Sequence, residues 1–86
     1  EFGLQAIYPN PFNSTTSIRV GLEAAGIVNL RVYDISGREV IRLSDGQAAA
    51  GCHIFQVNAA NMASGLYIVR LEQMGKVATR KMILIR

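Results

Sequence analysis

The chain has 86 residues, half of them apolar, and a formal net charge of +3, which fits one domain over 1-86 with a thin core. No apolar run nears the ~20 residues of a membrane-spanning helix, so no transmembrane segment is expected. The arginines stand singly, without the basic patch and stacking aromatics of a nucleic-acid reader, which argues against nucleic acid as a partner.

Cys52 is the only cysteine, so no internal disulfide can staple the fold. The first residues lack a basic segment followed by an apolar run, and no signal peptide is read there. Gly3–Ile7 is a short strand candidate, with residues 1-7 read either as that strand or as linker. In Tyr8-Pro9-Asn10-Pro11-Phe12-Asn13, Pro9 and Pro11 fix φ and remove two backbone donors. Such a segment edges a sheet or crosses over it, and Tyr8 and Phe12 are expected to fold inward as a lid on one end of the core. Asn13-Ser14-Thr15 matches the glycosylation triplet but reads as turn chemistry.

Thr16–Leu22 reads as a strand with Ile18, Val20 and Leu22 on one face, and Glu23–Gly26 as a short turn. Val28, Leu30 and Val32 then alternate with Asn29, Arg31 and Tyr33, the period of a half-buried strand. Asp34 and Gly37 occupy the first and fourth positions of a turn in which the Asp carboxylate accepts local N–H groups and Gly takes a left-handed conformation. A type I turn closed by a glycine bulge would lead into a strand over Glu39–Ser44. The phase of that strand is open, because Val40 and Ile41 are both apolar; a bulge or two-sided burial would resolve it.

Asp45-Gly46 reads as a turn and Gln47–Gly51 as a small-residue loop. Cys52–Asn58 resumes alternation, with His53, Phe55 and Val57 on one face. Asn61-Met62-Ala63-Ser64-Gly65-Leu66-Tyr67 has the layout of a tyrosine corner, in which Gly65 allows a sharp turn and the Tyr67 hydroxyl returns to the backbone just upstream. Leu66–Glu72 is a strand, Gln73–Lys76 reverses the chain, and Val77–Ile85 is the last strand. Its continuous apolar run, Met82 to Ile85, suggests burial on both sides. Seven short strands without helical period imply an all-β, seven-stranded antiparallel immunoglobulin-like sandwich, with a closed small barrel as the alternative. Val28, Leu30, Val32, Val57, Tyr67, Val69 and Leu71 are the expected common core.

Little here suggests catalysis. Cys52 and His53 are neighbours on a strand and should point to opposite faces, so they cannot form a nucleophile pair. One His, one Cys and isolated acids offer no ligand set for a metal and no cofactor site. Ser36 and Ser64 lack the frame of a nucleophile elbow, and Glu23, Glu39 and Glu72 lie on separate elements with no cleft between them. Arg19, Arg31, Arg42 and Arg70 should face outward. They read as a solvated face paired with Glu39 and Glu72 in preference to a basic stripe for an anionic partner.

Four stretches in order, Tyr8-Pro9-Asn10-Pro11-Phe12-Asn13, then Leu30-Arg31-Val32-Tyr33-Asp34-Ile35-Ser36-Gly37-Arg38-Glu39-Val40, then Ala63-Ser64-Gly65-Leu66-Tyr67, then Thr79-Arg80-Lys81-Met82-Ile83-Leu84-Ile85, resemble the type A C-terminal sorting domain of the type IX (Por) secretion system. The resemblance implies a non-catalytic address at the end of a larger secreted bacterial protein. An outer-membrane translocon would read it, and a sortase-like protease would remove it, as the cargo on its N-terminal side passes through the periplasm to the cell surface or medium. It implies Lys81, Met82, Ile83, Leu84, Ile85 and Arg86 as a principal recognition element beside Gly65 and Tyr67. The cleavage edge would lie upstream of Tyr8, around Gly3–Ala6 or before it. Pro9, Pro11, Phe12, Tyr33, Asp34, Gly37 and Arg38 would be structural motif residues. Ser14, Cys52 and Met62 depart from the family pattern. The alternative is an immunoglobulin- or fibronectin-like accessory or assembly module of an extracellular or flagellar protein; the lack of Trp and the core-like tyrosines weigh against a sugar platform.

Overall fold

A computed structural model describes all residues, Glu1–Arg86. It contains seven strands and no helix: β1 (Gly3–Tyr8), β2 (Thr15–Leu22), β3 (Gly26–Tyr33), β4 (Glu39–Ala48), β5 (Gly51–Asn58), β6 (Gly65–Gln73) and β7 (Lys76–Leu84). They form two antiparallel sheets, ordered β1-β2-β5 and β4-β3-β6-β7, which is the sandwich and not the closed barrel. Alternation decides which side chains meet between the sheets. Ile18 and Val20 of β2 face Val28, Leu30 and Val32 of β3 and Val69 and Leu71 of β6, all at most 1 % exposed. Every expected core residue lies in this cluster, together with Phe12, Met82 and Leu84.

Three local readings need correction. Asp45-Gly46 is no turn: β4 continues through it, Asp45 opposite Asn29 and Gly46 opposite Val28, and the chain reverses only after Ala48. Pairing with the β-branched residues of β3 overrides the turn preference of the dipeptide. The same ladder settles the phase of β4. Its register shifts twice, between Leu30 and Arg31 and between Val32 and Tyr33, so that Val40 and Leu43 are the extra residues of two bulges.

The Met82–Ile85 run is not buried on both sides. Met82 and Leu84 are sealed, whereas Ile83 and Ile85 are 39 % and 56 % exposed, because β7 is an edge strand of a sheet covered on one face only. Tyr8 also departs from expectation. It is 80 % exposed while Phe12 is buried: Leu4 and Ile7 take the inward positions of β1 on either side of a bulge, which turns Tyr8 outward opposite Ser17. The β6–β7 reversal uses Met74 and Gly75, both at positive φ (53° and 79°), the backbone of a type I′ hairpin.

Candidate recognition site

Strand direction sorts the loops. β1, β3, β5 and β7 end, and β2, β4 and β6 begin, at one end of a body 36 Å long. The segments 9–14, 34–38 and 59–64 and the residues after β7 therefore share that end, while Glu1 and the turns 23–25, 49–50 and 74–75 lie at the other. The four sequence motifs, dispersed along the chain, are thus gathered into one surface.

Its first component is a strap on the edge of β7. Phe12 N donates to Ile83 O (3.0 Å) and Ile85 N to Phe12 O (2.8 Å), a parallel bridge centred on Phe12 and Leu84. Pro9 and Pro11 can supply no N–H to that edge. The side chain of Asn10, between them, does what the backbone cannot: Nδ2 donates to Lys81 O (3.0 Å) and Oδ1 accepts from Ile83 N (2.9 Å). Thr16 Oγ1 donates to Pro9 O (2.6 Å) and holds the strap from the other sheet.

The corner is the second component. Tyr67 is buried and its hydroxyl donates to Ala63 O at 2.5 Å, closing the loop ahead of Gly65, which pairs with Leu84. Ser64 Oγ accepts from Arg86 N (3.0 Å), so corner and terminal segment are one contiguous structure. The hairpin is the third. Gly37 N donates to Asp34 O (3.0 Å) with Gly37 at φ 88°, and Asp34 N to Arg38 O (2.9 Å), the type I turn with a glycine bulge. Asp34 Oδ1 accepts from Ser36 N, Ser36 Oγ and Arg38 N at 3.0, 2.7 and 3.0 Å. These bonds, the Ser36 hydroxyl foremost, hold the Asp34 carboxyl below the usual aspartate range. Between hairpin, start of β4 and corner loop lies a groove of about 760 Å³ lined by Val40, Ile41, Met62 and Leu66 among others.

The terminal side chains alternate as far as Ile85. Met82 and Leu84 belong to the core, whereas Lys81, Ile83, Ile85 and Arg86 face solvent. The arginines do not make a cationic stripe. Arg70, Arg31 and Arg42 do form one cross-strand row, but Glu39 pairs with Arg31 (3.4 Å) and Arg42 (3.1 Å), Asp45 with Arg42 (3.4 Å) and Glu72 with Arg70 (3.0 Å); Arg19 is on the other sheet. Cys52 is exposed. Its Sγ lies 3.6 Å from Gln5 Oε1, while His53 Nε2 lies 2.7 Å from Ala49 O, so thiol and imidazole have separate neighbours.

The roles of Asn10, Thr16 and Ser64 are absent from the sequence reading. For Asn10 a signal existed, since an amide between two prolines can replace missing backbone groups; Thr16 and Ser64 offered none.

A family model described as "Secretion system C-terminal sorting domain" matches residues 6–85. No curated protein matches the chain. Among solved structures, the crystal structure of CopC from Methylosinus trichosporium OB3b superposes with a TM-score of 0.57 at 18% identity, over 98% of this chain and 91% of that one, a likeness of fold alone.

Proposed function

Because the chain belongs to the family of type IX secretion C-terminal sorting domains, a family of sorting signals and not of catalysts, we propose that its motif end is the face read by an outer-membrane translocon. The carrying observation is the gathering of strap, hairpin, corner and terminal segment at one end, with Glu1 at the other. Cargo joined on the N-terminal side then leaves the molecule away from the face that is read. Lys81 and Arg86 are the contact residues of this reading. Both side chains are exposed, and only their backbones take part in the strap and corner.

Met82 and Leu84 support recognition indirectly, by packing, as does Tyr67 by closing the corner. After transit of the periplasm a sortase-like protease removes the domain. Gly3 and Leu4 are paired with Gly21 and Val20 in β1, and a protease needs an unpaired extended segment. Cleavage in the folded domain therefore falls before Gly3 or requires β1 to peel from β2, its one partner within the sheet.

The test is a reporter cargo fused to the chain in a host that has the secretion system, compared with a version carrying Lys81→Gln and Arg86→Gln. Substituting exposed charges changes stability by no more than ~0.5 kcal/mol. The double variant should therefore melt almost as the parent does and leave the reporter in the periplasm. Export of the variant at the parental rate removes Lys81 and Arg86 from the contact. Retention of the unmodified fusion, in cells that export the same reporter on another sorting domain, removes the sorting reading.

A further inference from the structure

The two flanks of the sandwich are finished differently. Along one, β1 lies over β7, with Arg80 Nη1 donating to Gln5 O (3.2 Å) and the Asn10–Phe12 strap on the β7 edge. With β1 over β7, the strand orders set β2 over β6 and β5 over β3, and leave β4 without a strand opposite it except where Ala49-Ala50 link its end to the start of β5. The cost is visible in the side chains. Val28, Leu30 and Val32 on β3 are at most 1 % exposed, whereas Val40, Ile41 and Leu43 on β4 and Phe55 on β5 are only half-buried.

The edges bordering the two flanks differ as well. An unprotected edge strand is a template for another strand, and proteins blunt such edges with charges, prolines, bulges or a covering segment. β1 carries a bulge and runs into Pro9; β4 has two bulges with Glu39, Arg42 and Asp45; β7 carries Lys76, Arg80 and Lys81 and lies under the strap. β5 has none of these. Gly51-Cys52-His53-Ile54-Phe55-Gln56-Val57-Asn58 contains no acid, Lys, Arg or Pro and pairs with β2 over eight residues without a register shift.

We propose that the open flank between β5 and β4 is a strand-accepting slot for one extended segment of a partner protein. The segment adds to the three-stranded sheet by pairing with the free edge of β5. Its inward side chains lie over Val40, Ile41 and Leu43, and its end enters the groove beside Met62 at the motif end. The chemistry of the occupant follows from the slot. Main-chain hydrogen bonds supply attraction, alternate side chains supply fit, and the uncharged edge with half-buried aliphatics below it matches a segment in which apolar residues alternate with uncharged polar ones. A second copy of this chain does not fit. Joining β5 to β5 as one continuous sheet would drive β4 into the space of the other copy's β3. The slot is a property of the fold and stands apart from the sorting reading.

The probe is an eight-residue peptide of alternating Val and Thr, acetylated and amidated at its ends, titrated into the nitrogen-15-labelled chain. Saturable shifts confined to Gly51–Asn58 and Glu39–Ala48, with slowed exchange of β5 amides, are expected. Leu43→Lys, which puts a charge under the segment, should weaken binding at least tenfold, and Thr79→Lys on the far flank should not. If Leu43→Lys proves unfolded, the exchange pattern of the parent decides alone. No saturable shift at millimolar peptide, or shifts centred on β1 and β7, overturns the proposal. So do β5 shifts that depend on protein concentration without peptide, since the slot would then take a second copy.

Discussion

Replacing Asn10 with Ala should loosen the terminal strand without emptying the core. The side chain makes one bond as donor, to Lys81 O, and one as acceptor, from Ile83 N. Each hydrogen bond is worth ~0.5–1.5 kcal/mol net. Asn10 is exposed, so water recovers part of both, and the expected loss is about 1–2 kcal/mol. For a domain of this size that lowers Tm by roughly 4–8 °C per kcal/mol. Urea denaturation gives the magnitude and amide exchange gives the place: Ile83 should lose protection while Leu30 and Val69 lose only what the global change requires. Asn10→Asp separates the two bonds. It keeps the acceptor but sets a carboxylate oxygen against Lys81 O, which raises that carboxyl's folded pKa. The penalty is then present above the folded pKa and fades as pH falls through it, when the carboxyl proton can be donated. An Asn10→Ala protein with unchanged midpoint and unchanged Ile83 exchange would refute the strap as a stabilising element.

Tyr67→Phe should destabilise by ~0.5–1.5 kcal/mol with the fold intact, and an unchanged denaturation midpoint would mean that Ala63 O is satisfied without the hydroxyl. Asp34 has a lowered folded pKa, so its contribution is complete above the unfolded-state value and is lost as pH falls through the folded one; Asn in its place should flatten the dependence below about pH 4, and parallel acid limbs for the two proteins would contradict this. Met74 stands at φ 53° ahead of Gly75, where a left-handed L-residue costs roughly 1 kcal/mol and Asn is better tolerated; Met74→Asn should raise Tm, and a fall would show that the Met74 side chain contributes packing that outweighs its backbone.

Strand existence was legible because alternation is a local signal. Val28, Leu30 and Val32 announce the face they bury, and Asp34 with Gly37 announces the turn. What was not legible depends on neighbours. Asp45-Gly46 has the chemistry of a turn and becomes strand only because β3 offers a partner long enough to hold it. Ile83 and Ile85 look like core until β7 is known to be an edge, and Tyr8 looks like a lid until the bulge in β1 turns it outward. The candidate site follows the same division. Its motifs could each be read from residues, but their meeting at one end is a fact of topology, and Asn10 acquires its partners from positions 71 and 73 residues away.

That separation bears on when the sandwich can form. The strap joins residues near the two extremes of this stretch of chain, and loops of such length close late because their entropy must be overcome before the contact rewards it. β2, β3 and β6 can assemble while Lys81–Ile85 is still inside a ribosome or a membrane channel, but β7 and the strap cannot. A polypeptide delivered N-terminus first would therefore carry an unfinished sandwich until Lys81–Ile85 emerge. The motif end is then complete only after all seven strands have been made.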